Sequence, residues 1–149
     1  MFVCHGNICR SPMAEFIMKD MLRRRGIADK FTVKSSAVSD EELGNLVYPQ
    51  ARAELAKHGI SCNGKHAVRL TGADYDKYDY IIGMDRSNIS GIMRIIGNDP
   101  EHKVHLLLDF TASPHDVADP WYYGNFDTTY SDIYSGCEAL LDSILQSHI

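Results

Sequence analysis

A thiol and a guanidinium stand six positions apart at the start of this chain, in Cys4-His-Gly-Asn-Ile-Cys-Arg10-Ser11. Phe2-Val3 reads as a strand leading into that loop. Ser11-Pro12 reads as the start of a helix, with Ser11 as N-cap and proline at the first helical position. A turn from strand to helix points successive backbone N–H groups inward and makes a nest for an anion. Gly6 can supply a positive φ at no steric cost, and Asn7 tolerates the left-handed region better than most residues. Arg10 can close the ring with a bidentate grip on two phosphate oxygens. In that positive field Cys4 would lie at the base of the cradle as a thiolate, a nucleophile aimed at phosphorus. The Ser11 hydroxyl can hydrogen-bond the same sulfur. Residues His5, Gly6, Asn7, Ile8, Cys9, Arg10 and Ser11 are thus the candidate phosphate ligands.

The rest of the chain supplies elements able to hold such a loop. Ala14, Ile17, Met18 and Met21 recur at helical spacing, followed by Arg23-Arg24-Arg25 and Gly26, which suit a helix C-terminus. Phe31-Thr-Val-Lys-Ser35 alternates as a strand, and Pro49 to His58, closed by Gly59, reads as a second helix. The apolar runs Tyr80–Met84 and Val104–Leu108 suit strands buried on both faces. Between them Ile89, Ile92, Met93 and Ile96 mark a helix stopped by Gly97. Tyr130, Ile133, Tyr134, Cys137, Leu140, Leu141 and Ile144 form the apolar face of a long final helix. Alternating strands and helices predict an α/β fold, a small four-stranded parallel sheet with helices on both faces. Ligands in such sheets bind beyond the carboxyl ends of the strands, where the Cys4–Ser11 loop falls. Only three residues precede Cys4, fewer than a buried strand usually has.

Composition narrows the classes. The 149 residues suit one domain over 1–149, with no repeat, linker or low-complexity tract. Fifteen basic against twenty acidic residues leave a net charge of -5, which disfavours nucleic acid and anionic membrane as partners. No apolar run reaches membrane-span length and the first residues lack a signal-peptide pattern, so a cytoplasmic location is expected. There Cys4, Cys9, Cys62 and Cys137 should be free thiols. Neither a metal nor an organic cofactor is expected: Cys4-x4-Cys9 and His58-x3-Cys62 match zinc spacing only loosely.

Val3-Cys-His-Gly-Asn-Ile-Cys-Arg-Ser-Pro-Met-Ala-Glu15 resembles the phosphate-binding loop and first helix of the low-molecular-weight protein tyrosine phosphatases. The resemblance continues through Ser35–Ser39, Tyr80–Asn88 and Asp119-Pro-Trp-Tyr-Tyr-Gly124, in the family's order, and so covers almost the whole chain. It implies a four-stranded parallel sheet, a phospho-enzyme on Cys4, Arg10 on the phosphoryl oxygens and Asp119 as general acid. The expected substrate is a tyrosine-phosphorylated protein or peptide, and inorganic phosphate the product. Chemistry supplies a reason for the acid, because a phenol leaves poorly as an anion and the bridging oxygen needs a proton. By residue type alone Asp116 serves as well as Asp119, whose backbone Pro120 would stiffen. Trp121, Tyr122 and Tyr123 could line a slot for a phenyl ring, with Tyr48, Leu43 and Leu46 as its other wall. Ser35 is an expected partner for Asn7. The stretch Gly64-Lys65-His66-Ala67 departs from the family pattern where a histidine often holds that asparagine.

Rival readings stay on the same loop. Family members that act on phosphoarginine carry threonine where Ile8 stands; Ile8 offers a stiff apolar branch suited to an aryl ring. An arsenate reductase would need further cysteines to relay a disulfide, and no pair follows Tyr80–Met84. A non-catalytic phosphate-binding module would not need Asp119-Pro120 with its aromatic neighbours. Cys9, in the same loop as Cys4, is expected to take part in a reversible Cys4–Cys9 disulfide.

Overall fold

Four three-residue strands form the sheet: β1 (Phe2–Cys4), β2 (Ser35–Ala37), β3 (Ile81–Gly83) and β4 (Val104–Leu106). In this computed structural model, which describes residues 1–147, they lie parallel in the order β2-β1-β3-β4. The helices are α1 (Arg10–Arg24), α2 (Pro49–Lys57), α3 (Asp74–Lys77), α4 (Arg86–Ile96), α5 (Pro120–Tyr123) and α6 (Phe126–Ser147). The chain runs from β1 outward to β2, then crosses back to β3 on the other side of β1. The switch in direction therefore falls at the carboxyl end of β1, where the Cys4 loop begins.

Successive strand residues point to opposite faces, and β1 shows the consequence. Phe2 packs into a core built with Met13, Ile17 and Leu22 of α1, Leu55 of α2 and Ile133 and Leu141 of α6. Val3 faces the other way, into a smaller core with Ile81, Ile92 of α4, Leu70 and Tyr75. Both faces are covered, which is why β3 is an unbroken apolar run.

Three local expectations are corrected. The second strand is Ser35–Ala37, not Phe31–Ser35. β1 pairs with it from the register Phe2↔Ser35, so residues 31–33 lie beyond the end of any partner strand. The run Val104–Leu108 breaks after Leu106 into a 3-10 turn, Leu107–Phe110. Leu107 and Leu108 are both buried in the same core as α6, and consecutive strand residues cannot share a face. The final helix begins earlier than its apolar face suggests, at Phe126, and Tyr134 on it is 41% exposed, stacked beside Tyr130 rather than buried.

α6 and the 107–110 turn pack closely. A Cβ on Gly136 would fall 2.5 Å from Leu107 Cγ, and Leu107 is fully buried. Gly136→Ala should gain about 1 kcal/mol of helix propensity but lose about 1–3 kcal/mol to overpacking. The expected result is a net loss of stability, read as a lower midpoint in urea unfolding; an unchanged or higher midpoint would show that Leu107 moves aside freely.

Candidate active site

Asn7 is the keystone of the loop's backbone. It takes φ 59°, the left-handed region, and is 1% exposed. Three hydrogen bonds hold it there: its Nδ2 donates to Ser11 Oγ at 2.8 Å and Ser35 Oγ at 3.0 Å, and its Oδ1 accepts from Val68 N at 3.0 Å. Gly6, expected to supply the positive φ, does not. Its missing Cβ is used instead to admit the Glu42 side chain, whose Cγ would stand 3.2 Å from a Cβ there. The N–H groups of Gly6, Asn7, Ile8 and Cys9 donate to no protein acceptor among the described residues, as an anion nest requires.

Ser11 is not the N-cap. α1 begins at Arg10, with Cys9 as N-cap and no side-chain capping bond, and the Ser11 hydroxyl is turned to the loop. Its Oγ stands 2.9 Å from Cys4 Sγ, and its backbone N–H donates to the same sulfur at 3.4 Å. Arg10, 3% exposed, donates from one guanidinium nitrogen to Asp85 Oδ2 and to the Val117 carbonyl, both at 2.8 Å. Its other terminal nitrogen lies 3.7 Å from Asp119 Oδ2. Burial works against the Arg10 charge, but Cys4, Asp85 and Asp119 outweigh it and raise its pKa.

Asp85 went unnoticed in the sequence as a site residue. Its Oδ1 accepts from Asn88 N while Asn88 Oδ1 accepts from Asp85 N, a capping box for α4. One carboxylate thus caps a helix with one oxygen and orients Arg10 with the other. The spacing Asp85-x2-Asn88 was the available signal.

The two candidate acids separate by position. Asp119 lines the same cleft as Cys4 and Arg10 and caps α5, accepting from Trp121 N at 3.0 Å. Asp116 faces Arg86 at 3.9 Å and does not line the cleft. Pro120 is the first residue of α5 and is buried. The cleft, about 290 Å³, is lined by Cys4, Ile8, Cys9 and Arg10 at its base and by Trp121, Glu41, Glu42, His5, Gly6 and Asp119 around it. A larger hollow of about 610 Å³ opens at the opposite end of the sheet, among Phe31, Tyr78 and Leu145, away from these groups.

The substrate slot differs from the expectation. Tyr48 does not face Trp121 across a gap; the two rings pack at 4.7 Å, and Phe126 stacks behind Tyr48 at 6.3 Å. Tyr48 buttresses one aromatic wall, of which Trp121 is the exposed tip. Leu43 and Leu46 are exposed outside the lining, where Glu41 and Glu42 stand instead. The side chains of Tyr122 and Tyr123 lie outside the described residues. Behind the loop, His66 turns to the Gly44 carbonyl, while Lys65 donates to the Ser35 carbonyl at 2.9 Å. Burial lowers the Lys65 pKa and Glu15 pulls it back up.

All four cysteines are free. Burial, and next the charge of Cys4, push Cys9 up to about 12, so it is a thiol at neutral pH. Cys137 is pushed up by burial in the core. Among the described residues no group of three or more His, Cys, Asp or Glu side chains could hold a metal ion, and no helix is long and apolar enough to cross a membrane.

A strand-loop-helix anion cradle with cysteine at its base, on a four-stranded parallel sheet, defines a class, and comparison gives it a name. The family model described as "Low molecular weight phosphotyrosine protein phosphatase" matches residues 1–148, and the chain belongs to that family. It is 38% identical over 146 residues to low molecular weight protein-tyrosine-phosphatase YfkJ of Bacillus subtilis, spanning 97% of this chain and 94% of that protein. The YfkJ crystal structure matches with a TM-score of 0.94 over 98% of this chain and 93% of that one. The low molecular weight phosphotyrosine protein phosphatase of Sus scrofa is 35% identical over 97% of this chain and 94% of its own length. The structure of DARP, a Drosophila arginine phosphatase, matches with a TM-score of 0.85 at 28% identity, covering 96% of this chain and 95% of that one.

Proposed function

We propose that this chain hydrolyses phosphotyrosine in proteins or peptides through a cysteinyl-phosphate on Cys4. The observation that carries the reading is a single cleft lined by a cysteine, a buried arginine, an aspartate and an exposed indole. The Cys4 thiolate attacks phosphorus, forming the S–P bond as the P–O bond to the phenol breaks. Arg10 and the free N–H groups of the loop bind the phosphoryl oxygens, whose charge they are already placed to neutralise. Asp119, protonated at the start, gives its proton to the leaving phenolic oxygen. It then takes one from the water that attacks the phospho-enzyme, so inorganic phosphate leaves and the thiolate returns. Ser11, at 2.9 Å, steadies the sulfur as nucleophile and as leaving group. No cofactor enters these steps. A cytoplasmic setting fits four free thiols.

The roles separate by experiment. Cys4→Ser should bind inorganic phosphate yet release none from phosphotyrosine, and a trapped phospho-adduct on any other residue would overturn the mechanism. Asp119→Asn should slow turnover of phosphotyrosine by roughly 10²–10⁴ while activated aryl phosphates suffer less. Equal losses on both, or a larger loss from Asp116→Asn, would move the role elsewhere.

Substrate choice rests on Ile8 and Trp121, both lining the cleft. An apolar, χ1-stiff branch and an indole suit a phenyl ring and offer a guanidinium no hydrogen bond. The parent should therefore show a higher kcat/KM on phosphotyrosine than on phosphoserine or phosphoarginine, and Ile8→Thr should shift activity toward phosphoarginine. A parent already faster on phosphoarginine would reverse the assignment. Arsenate reduction is disfavoured, since Cys62 and Cys137 belong to the core and not to the cleft.

The loop also supports redox sensitivity. Cys9, a thiol at neutral pH, lines the cleft beside Cys4. Peroxide would oxidise the Cys4 thiolate to a sulfenic acid, and Cys9 would displace water from it to form a disulfide. Thiol should then restore the peroxide-treated parent but not Cys9→Ala; equal recovery of both would exclude this protection.

A further inference from the structure

At the end of the sheet away from the cleft, part of the main core is left uncapped. β1 pairs with β2 only from Phe2↔Ser35, so residues 31–33 run past the start of the sheet with no partner strand. A hollow of about 610 Å³ opens there, about twice the volume of the catalytic cleft. Its floor is core: Phe2 of β1, Ile82 of β3 and Leu140 of α6, each no more than 3% exposed. Its walls include Phe31, Val33, Tyr78 and Tyr80, all half-buried.

That volume falls in the range of small-molecule sites, which join apolar walls to a few polar groups. Three of the wall residues are aromatic, so a planar ring finds faces and edges to pack on. Lys30 and Lys77 also line the hollow. Lys19, Lys57, Lys65 and Lys103 each stand within ion-pair distance of a carboxylate, whereas Lys30 and Lys77 have no such partner among the described residues. Asp79 is the one carboxylate on the lining. The Met1 amine donates to the Tyr80 carbonyl at 3.0 Å and is pushed down to about 5 by burial, so it adds no charge at neutral pH. Two ammonium groups against one carboxylate leave the hollow net positive by one, which complements a monoanion and opposes a cation.

We propose that this hollow is a second ligand site, which takes a small aromatic carboxylate with its ring against Phe31, Tyr78 and Tyr80 and its charge met by Lys30 and Lys77. The site is separate from the catalytic cleft. Phe2 lines one and Cys4 the other, at the two ends of β1, and no residue lines both. A ligand seated there leaves the phosphate cradle open. It also stabilises the fold by mass action, because the unfolded chain has no such hollow.

The probe is 2-naphthoate, titrated into the full chain and followed by amide NMR shifts, with methyl 2-naphthoate as its uncharged counterpart. Binding should saturate with a Kd below about 1 mM, and the shifts should fall on Lys30–Val33 and Lys77–Tyr80. Lys30→Gln and Lys77→Gln should each weaken it roughly two- to fivefold, and the ester should bind at least as weakly as the double variant. Ile144→Trp, which fills the hollow from α6, should abolish binding while keeping the urea midpoint of the parent. Where Ile144→Trp does not fold, the two exposed lysine variants carry the test alone. No saturable binding, or binding indifferent to both lysines, would overturn the proposal. Shifts on the Cys4 loop, lost in Trp121→Ala but kept in Ile144→Trp, would place the probe in the catalytic cleft and overturn it too. So would a dimer of the parent that 2-naphthoate does not dissociate and Ile144→Trp does, since the occupant would then be a second copy of the chain.

Discussion

An anion cradle made of backbone N–H groups imposes a conflict: the donors that will bind phosphate must be left without protein partners, yet the backbone carrying them must be held still. This chain resolves the conflict by holding the loop through carbonyls and side chains. The carbonyls of Cys4, His5 and Ile8 accept from Val38 N, Ser39 N and Tyr48 N at 3.1, 3.2 and 2.9 Å. The side chain of Asn7 ties the turn to Ser11, Ser35 and Val68. A left-handed asparagine is strained by about 1 kcal/mol, and three buried hydrogen bonds of about that size each offset it. The loop's rigidity is thus borrowed from β2 and from the segments around Val38, Tyr48 and Val68.

The same logic explains Arg10. Buried without a partner, a guanidinium would be costly, and no buried side-chain nitrogen or oxygen lacks a hydrogen-bond partner among the described residues. Asp85 and the Val117 carbonyl satisfy one nitrogen. Val117 N in turn donates to the Met84 carbonyl at 2.9 Å, so the segment leading to Asp119 is laid against the end of β3. The sheet that buries the apolar residues therefore also sets where Asp119 lies relative to Cys4. Two of the three-residue strands end at the site: β1 at Cys4, and β3 two residues before Asp85.

How far the sequence disclosed this depends on the kind of interaction. The loop was legible because its chemistry is local: Cys4, Asn7, Arg10 and Ser11 fall within eight residues, and strand-loop-helix geometry follows from short-range rules. The parallel sheet was legible from alternation of strand and helix. What lay hidden depends on pairs far apart in sequence. Asp85 meets Arg10 across 75 positions, and Tyr48 packs directly on Trp121 from far along the chain, so the wall drawn from composition as two sides is one. Ser11 looked like an N-cap because Ser-Pro at a helix start usually is one; here a buried sulfur outbids the helix for the hydroxyl. Gly6 looked like a turn glycine, whereas the constraint on it is the bulk of Glu42, which no local pattern contains.

Arg10 has unequal neighbours. With the cradle open, two carboxylates lie near the guanidinium: Asp85 at 2.8 Å and Asp119 at 3.7 Å, on different nitrogens. Asp85 is also bound to the N-terminus of α4 and stays. Asp119 has only the Trp121 N–H as a second tie and is 29% exposed at its side chain, so it is the carboxylate free to change partner. An anion seated against the outer guanidinium nitrogen would share that face with the Asp119 carboxylate, and like charges there repel. A single buried arginine thus holds one carboxylate fixed and leaves the other free to move.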